Sequence, residues 1–320
     1  MTMSGKLAIV FPGQGCQFVG MSADLCAAYP QALELFQRAD EALGFPLSGV
    51  CVEGPDEVLN DTANTQPAIY VASMALWALV EPALNGAASS AAFAAGHSLG
   101  EFSALTAAGA ISFEDGVRLV RRRGEAMRDA GEAAPGGMAA IIGLDDDAVR
   151  AVVEEASAEG NGDGVWAANY NSPGQVIIAG AQATLERAMV LAKERGAKRA
   201  LPLQVSVACH TPLMAAAGEQ LSAALNAATW SAPWAPVVAN AVAEPLAEPQ
   251  ALQAALMRQL TSPVRWVESV QRMAQEGVTT ILEIGPKSVL AGLIKRIDPT
   301  LTVHAVTDLA SLQTLDLSAL

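Results

Sequence analysis

Histidine is scarce in this chain: it stands at positions 97, 210 and 304 and nowhere else in 320 residues. Any chemistry that needs an imidazole therefore has three candidates. Charged residues make up 16% and aromatic residues 5%, against 52% hydrophobic residues. So little charge speaks against disorder and for a filled globular interior. A basic stripe is missing, and the net charge of −14 argues against nucleic acid as a partner. The four cysteines, Cys16, Cys26, Cys51 and Cys209, show no Cys-x-x-Cys spacing and no density that would suggest a disulfide framework or a zinc site. Reduced thiols and no metal are expected. The longest apolar run, Ala68 to Val80, is shorter than the roughly 18 residues a membrane-spanning helix needs. LAIVF follows Lys6, but FPGQG interrupts it too soon for a secretory signal. A cytoplasmic protein without membrane contact is expected.

The length suggests two domains or one enlarged one. Short apolar runs alternate with helical patterns: KLAIVF, then helices over 22–43 and 66–84, a strand over 91–95, and helices ending at Gly109 and Ala130. That alternation predicts a parallel sheet covered by helices on both faces. After Gly131 the rhythm changes to strand, helix, two strands joined at Ser172-Pro173-Gly174, helix, and a closing strand over 198–207. This β-α-β-β-α-β order is that of a ferredoxin-like module. The expected organisation is a main body of residues 1–131 and 205–320 with a ferredoxin-like insertion over 132–204. TTILEIG (279–285) and TVHAV (302–306) would complete the main sheet.

The stretch AAFAAGHSLGEFSAL, residues 91–105, places Gly-x-Ser-x-Gly where a strand turns into a helix. In that context Ser98 sits on a sharp corner with its hydroxyl exposed, a nucleophile elbow. A plain turn with a serine N-cap is the competing reading. Attack by Ser98 on an acyl group would create an oxyanion. The N–H of Leu99, opening the helix, and that of Gln14, in the FPGQG turn, are suited to receive it.

A serine hydroxyl needs a base. His97 adjoins Ser98, and on a sharp corner its ring should point away and pack beneath the turn. His304 lies in a short apolar strand and reads as a core histidine with a satisfied ring. His210 remains, at the seam where the insertion returns to the main body, where a cleft belongs; a capping histidine before Thr211-Pro212 is the alternative. Cys209 beside it is an unlikely catalytic partner, because adjacent residues of an extended segment face opposite ways. No Asp or Glu completes a triad, so a backbone carbonyl is a second way to orient the ring.

Three arginines occur together at 121–123. Arg121 and Arg122 have Glu125 within helical reach and read as surface positions. Arg123 has Leu119, Val120, Ala126 and Met127 as its i±3 and i±4 neighbours, so its guanidinium points along a buried face. An unpaired cation there costs several kcal/mol. Either an internal carboxylate or a ligand anion pairs with it, and its planar fork suits a substrate with a free carboxyl group.

FPGQG at 11–15, GHSLGE at 96–101, RRRGEAM at 121–127, NYNSPGQVIIAG at 169–180, the segment before His210 and EIGP at 283–286 together resemble the malonyl-CoA:acyl carrier protein transacylases. The resemblance runs in order over nearly the whole chain. It implies an α/β-hydrolase-like main domain carrying the ferredoxin-like insertion. It also implies malonyl transfer from malonyl-CoA through a Ser98 ester to the phosphopantetheine thiol of an acyl carrier protein, in fatty acid biosynthesis and without a cofactor. By resemblance Ser98 is the nucleophile and His210 the base. Gln14 and Leu99 supply the oxyanion N–H groups, Arg123 binds the malonyl carboxylate, and Gln66, Met127, Asn169 and Asn171 line the pocket. Carrier proteins of this kind are acidic, which gives weight to the basic clusters Lys193, Arg195, Lys198, Arg199 and Lys287, Lys295, Arg296. The sequence departs from the family at Cys16, at Lys287-Ser288 after Pro286, and at Arg265 in TSPVRW, a segment expected to orient the histidine through a carbonyl. A discrete acyltransferase serving a polyketide synthase shares this chemistry. A serine esterase or thioesterase shares only the elbow, since a neutral acyl chain has no use for a buried cation.

Overall fold

A computed structural model describes residues 5–84, 91–160 and 162–316. The outer ends of the expected main body, 1–4 and 317–320, lie outside the described residues. Among the described residues ten strands form two sheets. In chain order they are β1 (Lys6–Phe11), β2 (Phe93–Gly96), β3 (Gly136–Ile142), β4 (Val165–Ser172), β5 (Gln175–Ala181), β6 (Arg199–Pro202), β7 (Val237–Ala239), β8 (Glu244–Leu246), β9 (Val278–Ile284) and β10 (Thr302–Val306). The larger sheet has the order β10-β9-β1-β2-β7-β8. Its first five strands are parallel and β8 is antiparallel to β7. The sheet is thus parallel as expected over five strands and mixed only through β8, which the sequence did not reveal: β7 and β8 are three residues each, too short to leave a readable period.

Both faces of β1 are covered. Leu7, Ile9 and Phe11 enter one core with the helix Thr62–Ala83, while Ala8 and Val10 enter a second with Trp266, Val270 and Ile294. Alternate residues of a strand point to opposite faces, so KLAIVF, apolar almost throughout, is what a doubly covered central strand requires. The smaller sheet, β4-β5-β3-β6, is antiparallel. The helices Asp146–Glu159 and Gln182–Glu194 cover one face through Val149, Val152, Leu185 and Leu191; Met138, Ala140, Ile177 and Ala179 on the other face join the main core.

Three local expectations change. The helical run 22–43 is two helices, Ala23–Ala28 and Pro30–Leu43, because proline opens a helix but cannot continue one. The closing strand of the insertion stops at Pro202, whose ring withdraws a ladder donor. His304 lies on the edge strand β10, half-buried, and its Nε2 has no partner among the described residues; it is not the satisfied core histidine expected.

Candidate active site

The site is assembled where β1 and β2 end side by side. Phe11 pairs with Gly96, and the His97 N–H donates to the Phe11 carbonyl at 3.0 Å. The FPGQG turn and the GHSLG corner therefore leave the sheet together, outside the carboxyl ends of the strands, where open α/β sheets form crevices. The corner is tight. A Cβ on Gly100 would stand 2.1 Å from the Phe11 carbonyl oxygen, and one on Gly13 would stand 2.4 Å from that of His97. Ser98 is left with φ of 52°, a left-handed conformation that a non-glycine residue holds only where its surroundings enforce it. Asn240, immediately after β7, does so: the Ser98 N–H donates to its Oδ1 at 2.6 Å, and its Nδ2 donates to the Gly96 carbonyl at 2.7 Å.

His210 also has a positive φ, 61°. Its Nε2 lies 2.8 Å from Ser98 Oγ, and its Nδ1 lies 2.9 Å from the Gln259 carbonyl and 3.2 Å from that of Ser262. Two carbonyls around Nδ1 assign the proton there, which leaves Nε2 a bare lone pair facing the hydroxyl. Burial first, and the nearby Arg123 charge second, push the imidazole down to about 3 against the counter-pull of the two carbonyls. His210 is thus neutral at pH 7. Cys209 beside it is buried, and burial pushes its thiol up to about 11, so it carries no thiolate. The orienting carbonyls come from the turn at and just before TSPVRW. Arg265 itself pairs with Glu268 and donates to the Val242 carbonyl, away from the ring.

Arg123 is 1% exposed and reaches the hydroxyl. One terminal nitrogen donates to Gln66 Oε1 at 2.7 Å; the other donates to Ser98 Oγ at 2.9 Å and to Gln259 Oε1 at 3.1 Å. Its Nε has no partner, and no carboxylate pairs with it among the described residues. Burial lowers this guanidinium to about 10, which still leaves it charged at pH 7. Phe102 lies beneath it with the ring centroid 5.7 Å away. Gln66 also touches Met127 Sδ and Thr62 Oγ1, and Thr62 Oγ1 donates to Gln14 Oε1, so the FPGQG turn is tied to the arginine. The backbone N–H groups of Gln14 and Leu99 have no acceptor among the described residues.

The two asparagines lie on β4. Asn171 Oδ1 meets His97 Nε2 at 2.8 Å, with the His97 ring edge-on to Trp266; its carboxamide is committed beneath the corner rather than to a pocket. Asn169 is buried, bridges in register to Val264, and its Oδ1 has no partner among the described residues. A groove of about 350 Å3 opens beside the site, lined by Gln14, Asp61, Thr62, Arg128, Ser206 and Val207 among others. Sequence reasoning missed Gln259 and Asn240. Gln259 ends the stripe Leu252, Leu256, Gln259 on the buried face of the helix Pro249–Gln259, and an amide on such a stripe is the signal that was there to find.

A corner hydroxyl, a neutral imidazole and a buried cation that no carboxylate neutralises among the described residues, all on an α/β sheet, define the class: a serine-nucleophile acyl-transfer protein. Residues 8–313 match the acyl transferase domain. The chain is 46% identical over 309 residues to the malonyl CoA-acyl carrier protein transacylase of Haemophilus influenzae, covering 96% of each, and 47% identical over 303 residues to that of Escherichia coli K12, covering 95% of this chain and 96% of the relative. It superposes on an acyl carrier protein S-malonyltransferase from Vibrio cholerae with a TM-score of 0.91, 46% identity, and coverage of 97% of this chain and 100% of the other. A malonyl-transacylase solved in complex with a type II PKS acyl-carrier protein gives 0.91, 44% identity, 97% and 98%. The chain belongs to the malonyl CoA-acyl carrier protein transacylase family of acyl transferases.

Proposed function

We propose that this protein transfers a malonyl group from malonyl-CoA to the phosphopantetheine thiol of an acyl carrier protein through a Ser98 ester. His210 Nε2 takes the Ser98 proton as Oγ attacks the thioester carbonyl, and returns it to the departing coenzyme A thiolate. The oxyanion is received by the N–H groups of Gln14 and Leu99. The carrier thiol then repeats the sequence in reverse. It attacks the Ser98 ester and takes the malonyl group as a thioester, and Ser98 Oγ leaves with the proton returned by His210. Ser98 is thus the only group of this protein that is acylated. Malonyl places its carboxylate one methylene from its acyl carbon, and the Arg123 fork, already hydrogen-bonded to Ser98 Oγ, is the group within that reach. Gln66 and Met127 flank the fork, and Asn169 bridges to Val264 in the segment whose carbonyls orient His210. The observation that carries the reading is a buried arginine at the nucleophile with no carboxylate on it among the described residues. We also read the main body, 1–131 and 205–320, as α/β-hydrolase-like and 132–204 as a ferredoxin-like insertion; the β4-β5-β3-β6 order supports the latter.

Intact-protein mass spectrometry tests the transfer. Malonyl-CoA alone should add one malonyl to Ser98, acyl carrier protein should discharge it, and water should do so slowly. Fast release of malonate without carrier would make the protein a hydrolase. Service to a polyketide carrier is a second reading, favoured by the likeness to the transacylase solved with such a partner; comparing discharge by the two kinds of carrier decides it.

A further inference from the structure

Behind the reacting groups lies a buried acid that the mechanism does not use. Glu101 is 2% exposed on the helix Gly100–Ala107. Its Oε2 accepts from Gln259 Nε2 at 2.7 Å and from the Asn240 N–H at 3.2 Å. These two residues hold everything in front of them. Gln259 receives the His210 proton on its carbonyl, receives Arg123 on Oε1, and donates from Nε2 to the Ser98 carbonyl at 2.9 Å. Asn240 accepts the Ser98 N–H and pins the Gly96 carbonyl.

We propose that Glu101 is a positioning residue of this site, holding the base and the guanidinium in register through Gln259 and the strained serine corner through Asn240. The inference rests on the acyl-transfer reading above. An acid suits the post because a carboxylate oxygen accepts two N–H donors without offering one in return. The Gln259 carboxamide stands between Arg123 and Glu101, donating to the acid and accepting from the cation. Glu101 thereby steadies the guanidinium without pairing with it, so its positive charge is left for a substrate carboxylate that displaces neutral partners only. A direct ion pair would fill that fork.

The full-length chain carries the test, with Glu101→Ala, Glu101→Gln and Glu101→Asp. Rates are measured for Ser98 phosphonylation by a fluorophosphonate and for acylation by malonyl-CoA and acetyl-CoA, each normalised to the serine titrated at end point. Glu101→Ala should slow all three by about 10- to 100-fold, the cost of loosening reacting groups by an ångström or so. Glu101→Gln, whose carbonyl oxygen accepts the same two N–H groups, should recover to within about threefold of the wild type. A purely structural role would lower the melting point and the titratable fraction while leaving the normalised rates unchanged, and that result overturns the proposal. So does Glu101→Gln as slow as Glu101→Ala. If the alanine variant does not fold, Glu101→Asp, one methylene too short to reach both donors, replaces it: slowed rates support the proposal and wild-type rates sink it. Phosphonylation that depends on Glu101 in a protein that takes no malonyl would leave the positioning role standing and remove the transferase reading alone.

Discussion

A guanidinium 1% exposed, with an unpartnered Nε and an amide rather than an acid on each side, is the strongest single statement this molecule makes about its ligand. Its burial among Leu119, Val120 and Met127 was legible from helical spacing; whether a protein acid met it was not, because that acid would come from another element. Arg123→Ala should cut malonyl transfer by about 10- to 100-fold, the worth of a charge-assisted hydrogen bond, and spare acetyl transfer. Equal loss of both, in side-by-side acylation assays, would end the carboxylate role. His210 makes a second prediction. Held at about 3 by burial and by Arg123, it stays an unprotonated base well below its ordinary titration range. The Ser98 acylation rate should therefore show no inflection near pH 6.5 and fall only in much stronger acid, as a rate profile with a carrier-free donor would reveal.

The helices Thr62–Ala83 and Phe113–Ala133 must approach closely for Gln66 to meet Arg123. Gly124 permits it: a Cβ there would stand 2.5 Å from the Thr62 carbonyl oxygen. Gly124→Ala should cost about 1 to 3 kcal/mol through overpacking and raise the KM for malonyl-CoA more than it lowers kcat, read by urea unfolding and steady-state kinetics. Elements of this length were visible in the apolar period of the chain. The three-residue β7 was not, yet it delivers Asn240 to the serine corner. Short strands exist because neighbours pair with them, and pairing leaves no trace in a local pattern.

The smaller sheet meets the segment that orients the histidine. The Tyr170 N–H of β4 donates to the Val264 carbonyl, the Val264 N–H donates to the Ala168 carbonyl, each at 2.9 Å, and Asn171 holds His97. The segment that orients His210 is thus stitched to β4 of the smaller sheet. Asn171→Ala should lower global stability by about 1 to 3 kcal/mol by stranding a buried ring nitrogen, measured by denaturant unfolding. The pH dependence of unfolding has two opposed parts. His210, depressed from 6.5 to about 3, contributes stability that is lost as pH falls through that interval. Glu101, raised by burial from 4.5 to about 7 against the hydrogen bonds of Gln259 and Asn240, contributes stability that is lost as pH rises through its own interval. Between pH 4.5 and 6.5 the Glu101 slope opposes that of His210. Removing one exposes the other, so Glu101→Gln should gain stability relative to the wild type as pH rises from 4.5 to 7. Arg123, Cys209 and His97 also face this region, and none takes up or releases a proton there in the direction that would mimic the effect: Arg123 and Cys209 titrate near 10 and 11, and His97 is lowered by burial.

Residue order alone determined the alternation of strands and helices, the corner around Ser98, the inward face of Arg123 and, by elimination among three histidines, His210. Those features are local: a period, a turn or an i±4 neighbour is written within a few residues. Tertiary structure decided which carbonyls accept the His210 Nδ1 hydrogen bond, that no acid among the described residues claims Arg123, and that Glu101, Asn240 and Gln259 converge behind the hydroxyl. Such contacts join residues as much as 161 positions apart, and only the closing of the sheet and the packing of its helices bring them within hydrogen-bond range.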